Sequence, residues 1–496
     1  MTNGGRMILL LVLWTFLWAP TALAQEGGGV PAAPAPGTPD PGGHLARARE
    51  AFRAGRLAEA VEASRRAVEA APASVPALLA SGGMAEFMGE FDEAQAAYAA
   101  AGAADPKNLD VVYRSASLAV RVGEYDRALG LLDRLVNAHS WWARTLFRHA
   151  PTSVQVGLFK SYPALEQFAS SGPPWIAWTV GLLPATLQQG VLRAYPLLAH
   201  IVQLDIDILM EKGDLDAART LAWGYAVVEA GRSYCNEGRQ RSGDWGRERI
   251  FSTFRLAALA QPAEADCIWW YGQWLTDEGF MRLGRLMIME GTRVTPSAGN
   301  KASGENYLRV RHSGGLEINK RAEQLALIAR QRFARDGDTP GAVRLLQEAI
   351  KLEPGFPRPY AHLAQIAWAG GDRDGAIDWL LQGVQADPDS WRVRRTLARA
   401  LVIRGRVPEA ETHARKAIEL FGDDVGGRLL FALILYVQGK YAEYAQHTEF
   451  ALRFGKQFRQ ELPDVQSFYD NFKRAGPGRS LPPAPDPRIL IGWNYD

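Results

Sequence analysis

The sequence predicts an all-α solenoid of antiparallel helical hairpins with an irregular helical middle region, and three regularities carry that expectation. Glycine recurs at 34-residue intervals in two runs: Gly55, Gly89 and Gly123, then Gly337, Gly371, Gly405 and Gly439. Five residues after each glycine stands a small residue, Ala60, Ala94, Ala128, Ala342, Ala376 or Ala410, with Tyr444 in the last unit. In four units a proline follows at seventeen residues, as Pro72, Pro106, Pro354 and Pro388. A period of this length marks a repeated helical hairpin. The small residue lets the two helices of a hairpin approach closely. Proline has no N–H with which to continue the second helix, so it ends it.

The glycine, the small residue five places on and the closing proline together resemble the tetratricopeptide repeat (TPR) family. The resemblance implies a TPR-type α-solenoid, a scaffold that holds another molecule in a groove lined by the first helix of each hairpin. It does not name that molecule.

Residues 1–24 read as a secretory signal peptide: one cation, Arg6, an apolar run from Met7 to Trp18, and a small-x-small pattern at Ala22-Leu23-Ala24. A retained anchor is the alternative, although the run is shorter than the roughly 20 residues of a spanning helix. The mature chain is expected to carry no transmembrane span and to work outside the cytoplasm, in a bacterial periplasm or a comparable compartment. Residues 25–43 are rich in proline and glycine, with too little apolar area to repay their ordering entropy, and read as a disordered tether.

Residues 44–140 form an N-terminal array of three repeats, the third with Ser140 where the proline would stand. Residues 141–322 form the irregular middle. Holding the same internal offsets finds divergent units near 199–231, with Gly213, Leu215 and Ala218, and near 265–297, with Gly272, Gly279, Gly284 and Pro296. The segment 141–198 keeps no period and is rich in bulky apolar residues such as Trp141, Trp175 and Trp178. It reads as packing helices or as an exposed docking patch. From Thr292 to Gly315 the lack of a helical period predicts a loop. Residues 323–457 form a C-terminal array of four repeats. Residues 458–496 hold a last helix and a proline-rich tail that ends in an apolar run, Ile489 to Ile491 with Trp493, and could dock on the solenoid itself or on a partner.

The chain has two cysteines, Cys235 and Cys267. In an exported chain they read as a disulfide, with two separate buried thiols as the alternative. Nothing points to catalysis or to a cofactor: no HExxH, GxSxG or CxxC occurs, and Gly299-Asn300-Lys301 lacks the flanking residues of a phosphate loop. A formal net charge of +2 gives no global case for nucleic acid. We therefore expect no enzyme; a site hidden in the irregular segment from Trp141 to Leu198 is the enzymatic alternative.

The groove is the place to look for binding. In the unit turning at Gly405, the inward positions of the first helix hold Arg392, Arg395 and Arg399, which a spacing of three and four puts on one face. The preceding unit offers Arg358, Gln365 and Trp368 with His362 beside them, and the following unit offers Tyr436. This basic and aromatic stripe suits an acidic protein or peptide segment, through bidentate arginine pairs, or an anionic glycan. A solvated face of ordinary ion pairs is the alternative. Equivalent places in the N-terminal array hold Arg49, Phe52, Glu86, Tyr113 and Ser117, a mixed surface.

Overall fold

A computed structural model of the chain describes residues 41–137, 196–218, 265–312, 318–422, 424–457 and 463–475, and every regular element among them is helical. The chain divides into two compact units, Met1–Lys301 and Ala302–Asp496. The first holds α1 (Pro41–Arg53), α2 (Leu57–Ala70), α3 (Val75–Met88), α4 (Phe91–Ala104), α5 (Leu109–Val122), α6 (Tyr125–Asn137), α7 (Pro196–Lys212), α8 (Ala265–Glu278) and α9 (Met281–Val294). Helix α10 (Ala298–Arg311) crosses the boundary. The second holds α11 (Lys320–Gln331), α12 (Thr339–Leu352), α13 (Pro357–Ala369), α14 (Arg373–Ala386), α15 (Trp391–Ile403), α16 (Val407–Leu420), α17 (Val425–Val437), α18 (Tyr441–Gln457) and α19 (Pro463–Arg474).

The repeated glycine is explained by backbone conformation. All seven have positive φ, from 67° at Gly337 to 89° at Gly123, and a side chain added at Gly55 or Gly405 would meet open space. The left-handed turn, not crowding, therefore excludes other residues. The small residue five places on does the opposite work. Ala60, Ala94, Ala128, Ala342, Ala376 and Ala410 are all fully buried where the two helices of a hairpin meet. The prolines stand two residues beyond α2, α4, α12 and α14.

In the hairpin of α8 and α9 the turn is Gly279, with φ 103°, and glycine replaces alanine at 284. A Cβ at Gly284 would stand 2.5 Å from Thr276 Oγ1 and 2.9 Å from Thr276 N. Thr276 itself donates to Gly272 O at 2.8 Å, so it cannot give way without losing a buried hydrogen bond. Here the helices approach more closely than alanine permits.

Helix α7 has two buried faces. Leu204 and Ile208, one turn apart, pack with Val112, Ala116, Leu132 and Leu135 of the N-terminal repeats. Ile206 and Met210 join Tyr271, Leu275 and Met287 of the next hairpin. Gly213, with φ 84°, ends α7, and Ala218 five residues later is fully buried.

Two expectations need correction. Pro41, Gly42 and Gly43 are not tether but the first turn of α1, where proline needs no intrahelical partner. The predicted loop from Thr292 to Gly315 is largely helical: α9 runs to Val294 and α10 fills Ala298–Arg311. Ser297 accepts from Asn300 N at 3.3 Å and so supplies the start signal that composition obscured. The signal segment, most of the tether, the segment 141–195 and the tail after Ala475 lie outside the described residues, as does Cys235. Cys267 on α8 is fully buried and disulfide-bonded.

In the second unit, α19 caps the array. Phe468, Tyr469 and Phe472 pack on Tyr436, Tyr441 and Tyr444, with ring centroids 5.0 Å apart for Tyr436–Tyr444 and 4.9 Å for Tyr444–Phe472. Tyr444, in the alanine position, thus contacts the cap. Glu411 of α16 ties the repeats together, accepting at 2.8 Å from Arg415 Nη2, Gln438 Nε2 and Lys440 Nζ. Those partners, Lys440 and Arg415 foremost, hold its carboxyl down at about 2.

Substituting Gly284→Ala should destabilise the fold by about 1–3 kcal/mol through overpacking. Gly130→Ala, on an exposed helix position with nothing within 4 Å, should instead stabilise by about 0.5–1 kcal/mol. Urea unfolding of both variants checks the contrast. A depressed carboxyl stabilises the fold fully above its unfolded pKa of about 4.3 and loses that contribution as pH falls towards its folded value. Glu411→Gln should therefore lower the unfolding midpoint at pH 7, with the deficit shrinking below about pH 4.3 and closing near pH 2 in a pH series.

Candidate binding site

The 34-residue period decides which side chains meet on the face made by the first helices α11, α13, α15 and α17. Neighbouring first helices touch, so equal positions form rows across them. One row reads Gln324, Arg358, Arg392, Gly426; the next Leu327, Ala361, Arg395, Leu429; the next Gln331, Gln365, Arg399, Leu433; the last Ala334, Trp368, Val402, Tyr436. The face is mixed on α13, cationic on α15 and apolar on α17.

The arginines expected on one face are there, but they are not an open stripe. Arg358 is 5% exposed, Arg392 8%, Arg399 7% and His362 5%. Each of the four is engaged in a polar, ionic or ring contact. Burial, aided by neighbouring Arg395, pushes the Arg399 guanidinium down to about 10. A desolvated cation beside a second cation makes this a place that favours anions.

Arg395 is committed locally. Its Nη1 lies 2.9 Å and 3.2 Å from the two carboxylate oxygens of Asp424, the residue before α17. Its guanidinium also sits 5.1 Å from the ring centre of Trp391, over which Arg392 lies at 5.4 Å. Trp391, itself buried and 4.8 Å from Phe421, is the platform for both cations. Gly426 stands next to this pair: a Cβ there would be 3.5 Å from Arg395 Nη1.

The remaining expected residues fare differently. Gln365 and Trp368 are half-buried, and one face of Trp368 is covered by Arg373 at 4.6 Å. Tyr436 does not serve an open groove. It is 6% exposed and packs against Phe468 at 5.4 Å and Phe472 at 6.0 Å, because α19 occupies the place a further repeat would take. Trp391, Asp424, Gln324, Leu429 and Leu433 belong to the site and were not anticipated. The spacing of Gln324 from Arg358, and of Leu429 from Arg395, was the signal that could have found them.

In the N-terminal repeats the corresponding positions are tied into the fold. Glu86 accepts from Tyr98 Oη at 3.0 Å and from Arg121 Nη1 at 3.1 Å. Burial, with Asp207 nearby, raises the Tyr113 phenol well above its ordinary range. Phe52 is buried edge-on against Phe87 at 5.3 Å.

Residues 88–140 and 333–400 match the tetratricopeptide repeat family model. Those two stretches are tetratricopeptide repeats, which suggest a protein-interaction scaffold. Among solved structures it is similar to yeast Tom70, with 12% identity over 88% of this chain and 96% of that one and a TM-score of 0.33. It is also similar to the APC/C hetero-tetramer Cut9–Hcn1, with 11% identity, 87% and 98% coverage and a TM-score of 0.27. A third similarity is to MamA, with 13% identity, 46% and 94% coverage and a TM-score of 0.22. No curated protein sequence matches the chain. Among the described residues no helix is long and apolar enough to cross a membrane.

The Arg395–Asp424 pair joins two repeats and can be weighed directly. Asp424→Asn should destabilise by about 1–3 kcal/mol, since it leaves a half-buried guanidinium short of its acceptor. A double-mutant cycle with Arg395→Met should give a coupling of about 0.5–3 kcal/mol by urea unfolding.

Proposed function

We propose that the protein is a noncatalytic scaffold outside the cytoplasm, and that the face of α13, α15 and α17 binds an extended acidic segment of a partner protein. The observation that carries this reading is the concentration of Arg358, Arg392, Arg395 and Arg399 on one face, Arg395 half-buried and the others buried, bordered by apolar Leu429 and Leu433. Guanidinium groups held in a desolvated setting recognise carboxylates bidentately, and the apolar border suits the aliphatic or aromatic neighbours of such a carboxylate. Preformed first helices supply the rigidity that makes a few anchors sufficient. The export reading is supported by the composition of residues 1–24 and by the disulfide-bonded state of Cys267.

The test is capture from native envelope extract by the chain from Gln25 onward, beside the Arg392→Ala, Arg395→Ala, Arg399→Ala triple variant, with circular dichroism to show that both are folded. A protein retained by the wild type and depleted about tenfold or more by the variant is expected, and raising salt from 50 to 500 mM should weaken the retention. Equal recovery by both proteins would remove the arginines from the binding role. Capture of acidic polysaccharide in place of protein would redirect the reading to an anionic glycan.

A further inference from the structure

The 34-residue period repeats one further contact in the second unit, at the connections that lead from one hairpin to the next. The fourth residue of a first helix donates from its side chain to the backbone carbonyl six residues earlier. Tyr360 Oη reaches Pro354 O at 3.1 Å, Arg394 Nε reaches Pro388 O at 2.7 Å, and Arg428 Nε reaches Gly422 O. Each of these side chains faces the residue nineteen places on, in the second helix of its own hairpin: Trp379 in α14, His413 in α16 and His447 in α18. The Tyr360 and Trp379 rings lie 6.4 Å apart, and Arg428 Nη1 donates to His447 Nδ1 at 3.2 Å. One joint is therefore aromatic, and two set an arginine against a histidine.

The arginine–histidine joints exist in this form only while the imidazole is neutral. A guanidinium can only donate, so His447 Nδ1 must be the acceptor and carry no proton. Protonation converts that nitrogen into a donor aimed at a donor and sets two cations side by side. The surroundings hold both groups in place: the His447 ring stands edge-on to Phe431 at 4.9 Å, and the Arg428 guanidinium lies 3.7 Å from the ring centre of Phe450. At the other joint His413 Nδ1 is buried with no hydrogen-bond partner among the described residues, so a proton there would have no acceptor.

We propose that His413 and His447 make these two joints acid-responsive: when the imidazoles take up protons, Arg394 and Arg428 leave the carbonyls they hold, and the connections into α15 and α17 loosen while the aromatic joint into α13 stays closed. The charged groups that face His413 are Arg394 of α15 and Glu409 of its own helix. Those that face His447 are Arg428 of α17, Arg415 of α16 and Glu443 of its own helix. Burial, with Arg394 beside one imidazole and Arg428 beside the other, lowers both below their ordinary value, and Glu409 and Glu443 oppose this without reversing it. A histidine lowered in the folded state contributes its stability fully above the unfolded pKa of about 6.5 and loses it as pH falls from there towards the folded value. The change falls where Gly422 stands two residues before Asp424, the partner of Arg395, so acid slackens the Arg395–Asp424 pair as well. This holds whatever the first-helix face binds, and the inference therefore stands apart from the partner reading.

The test is amide hydrogen exchange of the full chain at pH 7.5 and pH 5.5, read by mass spectrometry and corrected for the intrinsic pH dependence of exchange. Peptides covering 390–397 and 424–431 are expected to exchange at least about threefold faster at pH 5.5 after that correction, while the equivalent peptide 356–363 at the aromatic joint keeps its rate. A His413→Gln, His447→Gln double variant retains a side-chain acceptor at each place but cannot titrate. Its acid acceleration should vanish, and its urea midpoint should fall less between the two pH values than that of the wild type. Equal acceleration at all three joints, no acceleration at the two arginine joints, or an acceleration that persists in the double variant overturns the proposal. If the double variant does not fold, the contrast among the three wild-type peptides decides the outcome alone.

Discussion

The left-handed glycine that joins the two helices of each hairpin is the constraint on which the remaining structure depends. A residue at φ of 67–89° reverses the chain within two residues, and the second helix must then lie against the first at a distance set by the residue five places on. Alanine sets that distance in six units and glycine shortens it at Gly284, where Thr276 occupies the space a methyl group would need. Since turn and contact are both local, each hairpin is specified by its own thirty-odd residues, and stacking adds only nearest-neighbour contacts. This is why the left-handed turn and the small residue five places on recur at Gly213 and Gly279, although the 34-residue spacing is lost there.

A fixed hairpin has a fixed consequence for chemistry. Positions 34 residues apart become neighbours, so a side chain's surroundings are written one repeat before and one repeat after it. Arg392 lies between Arg358 and Gly426, and Arg395 between Ala361 and Leu429. The neighbours of these guanidiniums on α17 are small or apolar, and the indole of Trp391 lies beside two of them. The cost of burying those cations is met in part by Asp424 and by cation–π contact. The penalty for leaving a buried cation unmatched is larger than the gain from any single surface ion pair.

Much of the scaffold could be read from the sequence because its determinants are local and repeated. Gly55, Ala60 and Pro72 state a turn, a contact and a stop without reference to distant residues. Helix α10 was missed because its start depends on the Ser297 side chain and its surface is mostly polar, which leaves periodicity with no apolar stripe to detect. The site was half legible. Helical spacing placed Arg392, Arg395 and Arg399 together, yet their burial depends on what lies over them, and no periodicity encodes that. Tyr436 shows the same limit: its position in the repeat is a groove position, but α19 ends the array there, and end effects are not periodic. Asp424 was overlooked because it precedes a helix and does not sit within one, although its carboxylate fixes the orientation of Arg395.

Unequal burial of the two arrays bears on how the protein divides its labour. In the N-terminal repeats the charged groups of the first helices are spent on the fold: Glu86 is held by Tyr98 and Arg121, and Tyr125 reaches Glu211 of α7 at 3.2 Å. Those contacts join repeat to repeat and leave little differential energy for a ligand. In the C-terminal repeats the joining work is done on the other side, by Glu411 with Lys440, Arg415 and Gln438, and by the rings of α18 and α19. The first-helix face adds the Arg395–Asp424 joint between repeats, so it too carries part of the structural role. An array stapled on both sides holds its first helices rigid, and the burial of Arg392 and Arg399 is a property of that rigid face.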